Sequence, residues 1–155
     1  MRALMCLVAA TAGCAGYTAG SFRGSAGPME GQRRTVGCLD VAVAHAFDPA
    51  AVGPVARIAI ANRCDRAVRV DLGAIRAVGR GPGNRAVMLV PYDPRGEIRP
   101  AAIEARTTAV EWIEYQPPGG RPDLFTQWCL DLAAIDAARP SDRPVRVCFA
   151  HGGAA

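Results

Sequence analysis

The chain has 155 residues, half of them apolar, and a formal net charge of +4. This apolar content argues against disorder throughout the chain, and the length fits one compact domain. All 18 basic residues are arginines, interspersed with 14 acids, and Arg33 and Arg34 are the longest basic run. The pattern indicates a solvated surface and argues against a nucleic-acid-binding protein.

The first 13 residues have the layout of a secretory signal. One positive charge, Arg2, precedes an apolar run over residues 3–10, and small residues then lead to Cys14. The apolar run is too short to span a bilayer. Ala10 and Ala12 also fit plain signal-peptide cleavage, which would release a soluble secreted protein. A true start codon upstream of Met1 would explain why the signal is short.

The end of this segment resembles the signal of bacterial lipoproteins, in which a small-residue box ends in a cysteine. Ala12 and Gly13 match the small residues, Cys14 matches the cysteine, and Thr11 stands where the family usually has leucine. The resemblance implies that residues 1–13 are removed and that Cys14 is lipidated, so that the lipid membrane itself is a partner. Ala15, in place of aspartate, resembles lipoproteins sorted to the outer membrane.

Residues 14–34 are predicted to be the lipidated cysteine followed by a flexible linker. Glycine, alanine, serine, threonine and proline dominate this stretch, and Tyr17, Phe22 and Met29 are isolated apolar residues with no period. We therefore expect the folded domain to occupy residues 35–150. The glycine- and alanine-rich residues 151–155 are expected to form a disordered tail.

Short stretches of alternating apolar and polar residues follow the linker and predict β-strands. These stretches are residues 37–45, 55–62, 67–78, 86–90, 98–104, 108–115, 127–132 and 145–149. Glycine- and proline-rich turns separate them, and no segment beyond the signal sustains a long helical period. Seven or eight such strands predict an all-β, antiparallel sandwich.

The arrangement resembles the immunoglobulin-like domains of bacterial envelope proteins. Residues 58–70 form a strand, a polar corner and a second strand, and residues 103–110 precede Trp112 and Tyr115. The resemblance covers about residues 36–149 and is one of pattern only. The antibody-type spacing of two core cysteines about a tryptophan is missing, so antibody-specific expectations do not transfer.

Four cysteines remain for the folded domain: Cys38, Cys64, Cys129 and Cys148. An even number in an exported chain predicts two disulfides, and no two cysteines have the short spacing of a zinc knuckle. The last two predicted strands form a hairpin about the turn-rich residues 136–144, which favours Cys129 with Cys148. Cys38 would then pair with Cys64, although the strand parities require a bulge or twist near residues 62–63. Pairing between the two hairpins stays open.

The sequence gives little support to an enzymatic function. His45 and Asp48 could form an acid–base couple. A strand-end histidine near a turn aspartate is more often solvated or structural. The other histidine, His151, lies in the predicted tail. Nucleophile-elbow, phosphate-loop and histidine-rich metal motifs are missing. The carboxylates Asp40, Asp131, Glu111 and Glu114 alternate with apolar residues, which predicts outward strand faces. The sequence therefore predicts no catalytic residues, no cofactor and no metal.

The turn at residues 92–97 is the best candidate for a recognition loop. It combines an aromatic ring, two carboxylates and an arginine fork, on Tyr92, Asp93, Glu97 and Arg95, with a rigidifying proline. The alternative is a tight strand connection in which Asp93 accepts backbone hydrogen bonds and Gly96 supplies an unusual dihedral angle, and this alternative is favoured.

Three aromatic residues, Trp112, Tyr115 and Trp128, are expected at core or rim positions because they lie among alternating apolar residues. A carbohydrate-binding platform would need them exposed together.

Three functions are compatible with these features. The first is a noncatalytic envelope lipoprotein with a structural or interaction role, whose partner is an envelope protein or polysaccharide. The second is a secreted binding module or protease-inhibitor-like domain that acts through the exposed loop. The third and least supported is an envelope hydrolase, which would need convergent acids in a cleft near Asp40 or Glu111.

Overall fold

The computed structural model describes residues 16–25, 27–119 and 125–150. The predicted signal (residues 1–13), Cys14 and the predicted tail (residues 151–155) lie outside the described residues. The strands in chain order are β1 (Arg23–Gly24), β2 (Gly27–Pro28), β3 (Gln32–Val36), β4 (Leu39–Ala46), β5 (Val55–Asn62), β6 (Val68–Val70), β7 (Arg76–Arg80), β8 (Ala86–Pro91), β9 (Ala101–Ile103), β10 (Thr108–Gln116), β11 (Gln127–Asp131) and β12 (Arg146–Ala150). Short 3-10 turns at Leu72–Ala74 and Pro82–Asn84 flank β7.

The strands form an antiparallel, sandwich-like all-β fold, as the sequence predicts. Eight of them make one continuous sheet in the order β12-β11-β7-β8-β10-β5-β4-β3. Strands β8 and β10 join its two four-stranded halves through only two residue pairs, Tyr115 with Pro91 and Gln116 with Val90. The short pairs β1-β2 and β6-β9 lie outside this sheet.

A single large core fills the space between the two halves. It combines apolar side chains from both, including Val41, Ile58 and Ile113 from one half and Leu89, Trp128 and Leu130 from the other. Because side chains alternate across a strand, the central strands send every second residue into this core, as Leu39, Val41 and Val43 of β4 do.

The outer strands β3 and β12 of the sheet approach each other, so the sandwich is closed by side chains. The Gln32 amide donates a hydrogen bond to the backbone carbonyl of Cys148. The Arg34 guanidinium Nε donates to the carbonyl of Arg146 at 3.1 Å. Two side chains of β3 thus bind the backbone of β12, and we call this junction the seam.

Most predicted strands are confirmed, and β5 has the predicted bounds. The predicted strand at 67–78 is interrupted because the Asp71 carboxylate accepts a hydrogen bond from the Ala74 backbone N–H at 3.2 Å and starts a 3-10 turn. The predicted strand at 98–104 shortens to β9. Strand β3 was not predicted, because Gln32 to Thr35 are all polar and lack the alternation that marks a strand.

Both disulfides form between the partners that the hairpin argument favours. Cys129 and Cys148 lie directly opposite each other on β11 and β12, with their Cα atoms 4.0 Å apart. The Cα atoms of Cys38 and Cys64 are 5.6 Å apart. The twist that this second pair requires is made by Asn62, whose side-chain oxygen accepts the Cys64 backbone N–H at 2.9 Å after β5 ends.

The predicted linker is not a free spacer, because its described part packs on the sheet. Tyr17 and Met29 are buried against the small side chains of Ala42, Ala59 and Ala61 on the outer face of β4 and β5. Tyr17 and Met29 show no regular spacing in the sequence because each side chain packs separately against these alanines. The folded domain therefore begins by Tyr17 and not at residue 35.

Candidate functional site

The predicted recognition loop at residues 92–97 is held rigidly at its base. The Tyr92 backbone N–H donates to the Glu114 carbonyl at 2.8 Å, which continues the pairing of β8 with β10. The Asp93 carboxylate accepts the backbone N–H groups of Glu97 at 2.9 Å and Ile98 at 2.7 Å. Gly96 has a φ of +66°, a left-handed conformation that suits glycine. The features of a tight strand connection are therefore present.

Asp93 stays ionised in this loop. Desolvation opposes the charge, but hydrogen bonds from the backbone N–H groups of Glu97, Ile98, Arg95 and Gly96 outweigh it and lower the pKa of Asp93 below its ordinary value. The loop therefore carries a fixed negative charge at neutral pH.

A tryptophan from the neighbouring strand lies beside the loop. Trp112 on β10 is 61% exposed, whereas its neighbour Ile113 is buried. The guanidinium carbon of Arg57 lies 5.7 Å from the centre of the Trp112 ring, within the range of a cation–π contact. Glu30 approaches the same guanidinium, with Oε2 4.0 Å from Nη1. Arg57 therefore fixes the ring from one side while most of the side chain stays open to solvent.

The loop and Trp112 enclose a groove of about 420 Å³, which we call the aromatic groove. Its lining includes Tyr92, which is 46% exposed, together with Asp48 and Glu114. The Glu114 carboxylate accepts the backbone N–H groups of residues 52 and 53 at 2.7 and 2.8 Å. Two aromatic rings on a fixed scaffold, flanked by carboxylates, give this groove both stacking surfaces and hydrogen-bond acceptors.

The structure brings the four predicted recognition residues together at one edge of the aromatic groove. Tyr92, Asp93, Arg95 and Glu97 all line it. Arg95 and Glu97 are both strongly exposed, with Nη1 3.8 Å from Oε1. Asp93 supports the loop, as the tight-connection interpretation predicts, and Tyr92 and Arg95 are the groups left to face a ligand.

The sequence predicts a core or rim position for Trp112, which does not distinguish a buried side chain from an exposed one. Tyr115 and Trp128 are fully buried, as expected for core positions, whereas Trp112 is exposed beside the predicted loop. The signal was present in the alternation of β10, because Trp112 shares its parity with the polar Glu114 while Ile113 and Tyr115 occupy the buried parity.

Two of the carboxylates expected on outward strand faces, Asp40 and Asp131, have structural contacts, and a third is exposed as expected. Asp40 lies on the outer face of β4, as expected, but it is fully buried there because the N-terminal segment covers it. The Thr35 hydroxyl also donates to its Oδ1 at 2.8 Å. Asp131 is half-buried and accepts the backbone N–H groups of Ala133 and Val145 at 3.0 and 3.1 Å. Glu111 is exposed.

The two members of the possible acid–base couple also have neighbours of their own. The His45 ring lies edge-on to Trp128, with ring centres 5.6 Å apart. The Asp48 carboxylate accepts the backbone N–H of Ala50 at 2.9 Å. Both contacts are typical of groups that shape a strand end and its turn.

Two structural absences hold for the part of the chain that the structure describes. In that part, no cluster of three or more histidine, cysteine, aspartate or glutamate side chains is arranged to hold a metal ion. Within the same residues, no helix has the length and apolar character needed to cross a bilayer.

Neither a protein-family model nor a curated protein nor a solved structure matches this chain.

Proposed function

We propose that this chain is an exported, noncatalytic protein of the cell envelope, anchored in the outer membrane through lipid on Cys14. The secretory layout of residues 1–13 and the small residues before Cys14 support export and lipidation. The two disulfides support an oxidising compartment, because such bonds persist outside the reducing cytosol.

The aromatic groove is the proposed interaction surface, and Trp112 is the observation that carries this role. Burying a large aromatic side chain stabilises a protein by about 2 kcal/mol or more, and a tryptophan left 61% exposed contributes only part of that stabilisation to the fold. Aromatic anchors of this kind contribute a large share of binding energy when a partner covers them. A partner chain, peptide or polysaccharide, would stack on Trp112 and Tyr92 and accept hydrogen bonds from Arg95.

Intact mass tests export and anchoring. The full gene is expressed, and the protein from the membrane fraction is weighed without reductant. The proposal expects a chain that begins at Cys14, carries added lipid, and is four hydrogens lighter than its thiol form because two disulfides are present. An unlipidated chain, or an uncleaved chain with free thiols, would contradict it.

Photo-crosslinking in living cells tests the aromatic groove. Benzoyl-phenylalanine replaces Trp112 in one variant and Met88 in a matched control, since Met88 is 52% exposed on β8 and lies outside the groove lining. The benzophenone inserts into C–H bonds of protein or polysaccharide alike. The proposal expects a defined adduct from position 112 and none from position 88. Equal labelling at both positions, or none at either, would refute a specific surface.

A protease-inhibitor-like module is the second candidate, and Arg95 is the observation that favours it. Its side chain is 80% exposed beside Gly96, in a loop that Asp93 holds in one conformation. A preorganised loop loses little conformational entropy on binding. Titration against a trypsin-like protease would give stoichiometric inhibition that Arg95→Ala abolishes. Slow cleavage after Arg95 without inhibition would exclude this role.

A further inference from the structure

The N-terminal segment is fixed to the domain at Tyr17. Tyr17 is 6% exposed, and its hydroxyl donates to Asp40 Oδ2 at 2.8 Å. Its backbone N–H donates to the carbonyl of Arg106 at 2.6 Å, in the turn before β10. One residue earlier, Gly16 is so close to this turn that an added Cβ would lie 3.0 Å from the Cβ of Arg106. Tyr17 is therefore a firm point of attachment.

Asp40 makes this attachment a network, which we call the latch. Besides the Tyr17 hydroxyl, Oδ2 accepts the backbone N–H of Gly20 at 2.6 Å, and Oδ1 accepts the Thr35 hydroxyl at 2.8 Å. The Arg63 Nε lies 3.6 Å from Oδ1. A fully buried carboxylate needs several such partners, and two of them are supplied by the N-terminal segment. Detaching the segment would leave the buried charge of Asp40 under-satisfied.

The latch shortens the connection between Cys14 and the domain. Only Ala15 and Gly16 separate Cys14 from Tyr17 in the sequence. Three residues span at most about 11 Å when fully extended. A free 20-residue spacer of this composition would instead have a root-mean-square length of about 25 Å. A lipid on Cys14 would therefore bring the Tyr17 end of the sandwich to the bilayer surface.

The aromatic groove lies at the opposite end of the same strands. The ladder between β5 and β10 runs from Ala61 paired with Thr108, next to the latch, to Val55 paired with Glu114, next to the groove. At about 3.4 Å per residue, these six steps separate the two ends by about 20 Å.

We infer that the Tyr17 end of the sandwich rests on the membrane surface and that the aromatic groove faces away from it. This inference rests on the proposed lipidation of Cys14, and it adds the orientation of the domain and the surface that meets the lipid. Arg23 and Arg66 are exposed near this end, and Arg106 is paired with Asp65 at 2.9 Å. Cations at the surface favour contact with anionic headgroups.

The absence of lysine from the sequence provides a clean test. Thr18→Lys places a single amine at the latch end, and Ala50→Lys places one in the turn between β4 and β5 at the groove end; both positions are exposed. Each variant is purified from membranes, weighed to establish lipid on Cys14, labelled with an amine-reactive fluorophore, and reconstituted into phosphatidylethanolamine–phosphatidylglycerol vesicles. Nitroxide-headgroup lipid then quenches labels near the surface. The native chain, which has no lysine, is labelled in the same way as a control for reaction at the N-terminal amine.

The inference expects quenching at position 18 to exceed that at position 50 by about threefold or more, because the two labels lie at opposite ends of a ladder that is about 20 Å long. Inserting about 20 glycine and serine residues between Ala15 and Gly16 should remove most of this contrast, because the tether then reaches about 25 Å. Lipidated protein with equal quenching at both positions would overturn the orientation and leave the proposed anchoring intact. Protein without lipid on Cys14 would overturn both.

Discussion

Replacing Tyr17 with phenylalanine should weaken the fold through the loss of a single oxygen atom. The substitution removes the hydroxyl that donates to Asp40 at 2.8 Å and that accepts the Phe22 backbone N–H at 3.2 Å. Hydrogen bonds to a charged group contribute about 1.5–3 kcal/mol. Asp40 keeps the Gly20 and Thr35 donors, so we expect a loss of about 2 kcal/mol in the free energy of unfolding.

Two measurements follow this loss. Chemical denaturation gives the global free energy, and trypsin, which cleaves after arginine, reports local detachment of the latch segment at Arg23. If the segment opens locally before cleavage, a loss of about 2 kcal/mol raises the cleavage rate at Arg23 by about 30-fold. The matched control is Tyr92→Phe, which removes a hydroxyl from an exposed tyrosine and should change stability by less than about 0.5 kcal/mol.

A double-mutant cycle with Asp40→Asn identifies the source of the loss. If the Tyr17 hydroxyl acts through the carboxylate, its removal should cost clearly less in the Asp40→Asn background than in the native chain. The reasoning fails if Tyr17→Phe matches the Tyr92→Phe control in both assays, or if the two losses simply add.

Three further predictions concern stability. Replacing Cys129 and Cys148 together with serine should lower the free energy of unfolding by about 3 kcal/mol, because the bridge spans 19 residues; a loss below 1 kcal/mol in denaturant titrations would contradict the chain-entropy reasoning. Tyr115→Phe should raise the free energy of unfolding by about 1 kcal/mol, because the buried Tyr115 hydroxyl has no hydrogen-bond partner among the described residues. A measured loss of stability would refute this prediction. The pKa of Tyr17 is raised above its ordinary value of 10.0, mainly by burial and also by the hydrogen bond to Asp40 and by the charge of that carboxylate. The protonated hydroxyl should therefore stabilise the fold below pH 10, and this stabilisation should be lost as pH rises through the folded-state pKa. The free energy of unfolding of Tyr17→Phe should decrease less steeply above pH 10 than that of the native chain. Identical dependence on pH in the two proteins would contradict this prediction.

Much of the fold is predictable because its strands carry local signals. Strand β5 is an apolar run that follows the Gly53-Pro54 turn, and the hairpin of β11 and β12 is centred on a turn-rich loop, which favours the pairing of Cys129 with Cys148. The pairing of Cys38 with Cys64 stayed open in the sequence because it depends on the turn at Asn62. The latch was not predictable in the same way. Tyr17 finds its partners 23 residues away at Asp40 and still farther along at Arg106, and no local pattern marks such distant contacts.

The candidate site shows the same division between local and distant information. The loop at residues 92–97 was recognisable from its own composition, because Asp93 and Gly96 act within the turn. The contribution of Trp112 depends on which face of β10 stays uncovered. That depends on where the N-terminal segment lies over the neighbouring alanines, which is a tertiary property.

The seam between β3 and β12 bears on whether copies of this chain can add to one another edge to edge. An open edge strand offers unpaired backbone groups to which another copy can add, and repeated addition builds fibres. Here the carbonyls of Cys148 and Arg146 are already occupied by Gln32 and Arg34. These two bonds leave fewer free backbone acceptors at this edge for a second copy to pair with, so they oppose growth of the sheet through β12.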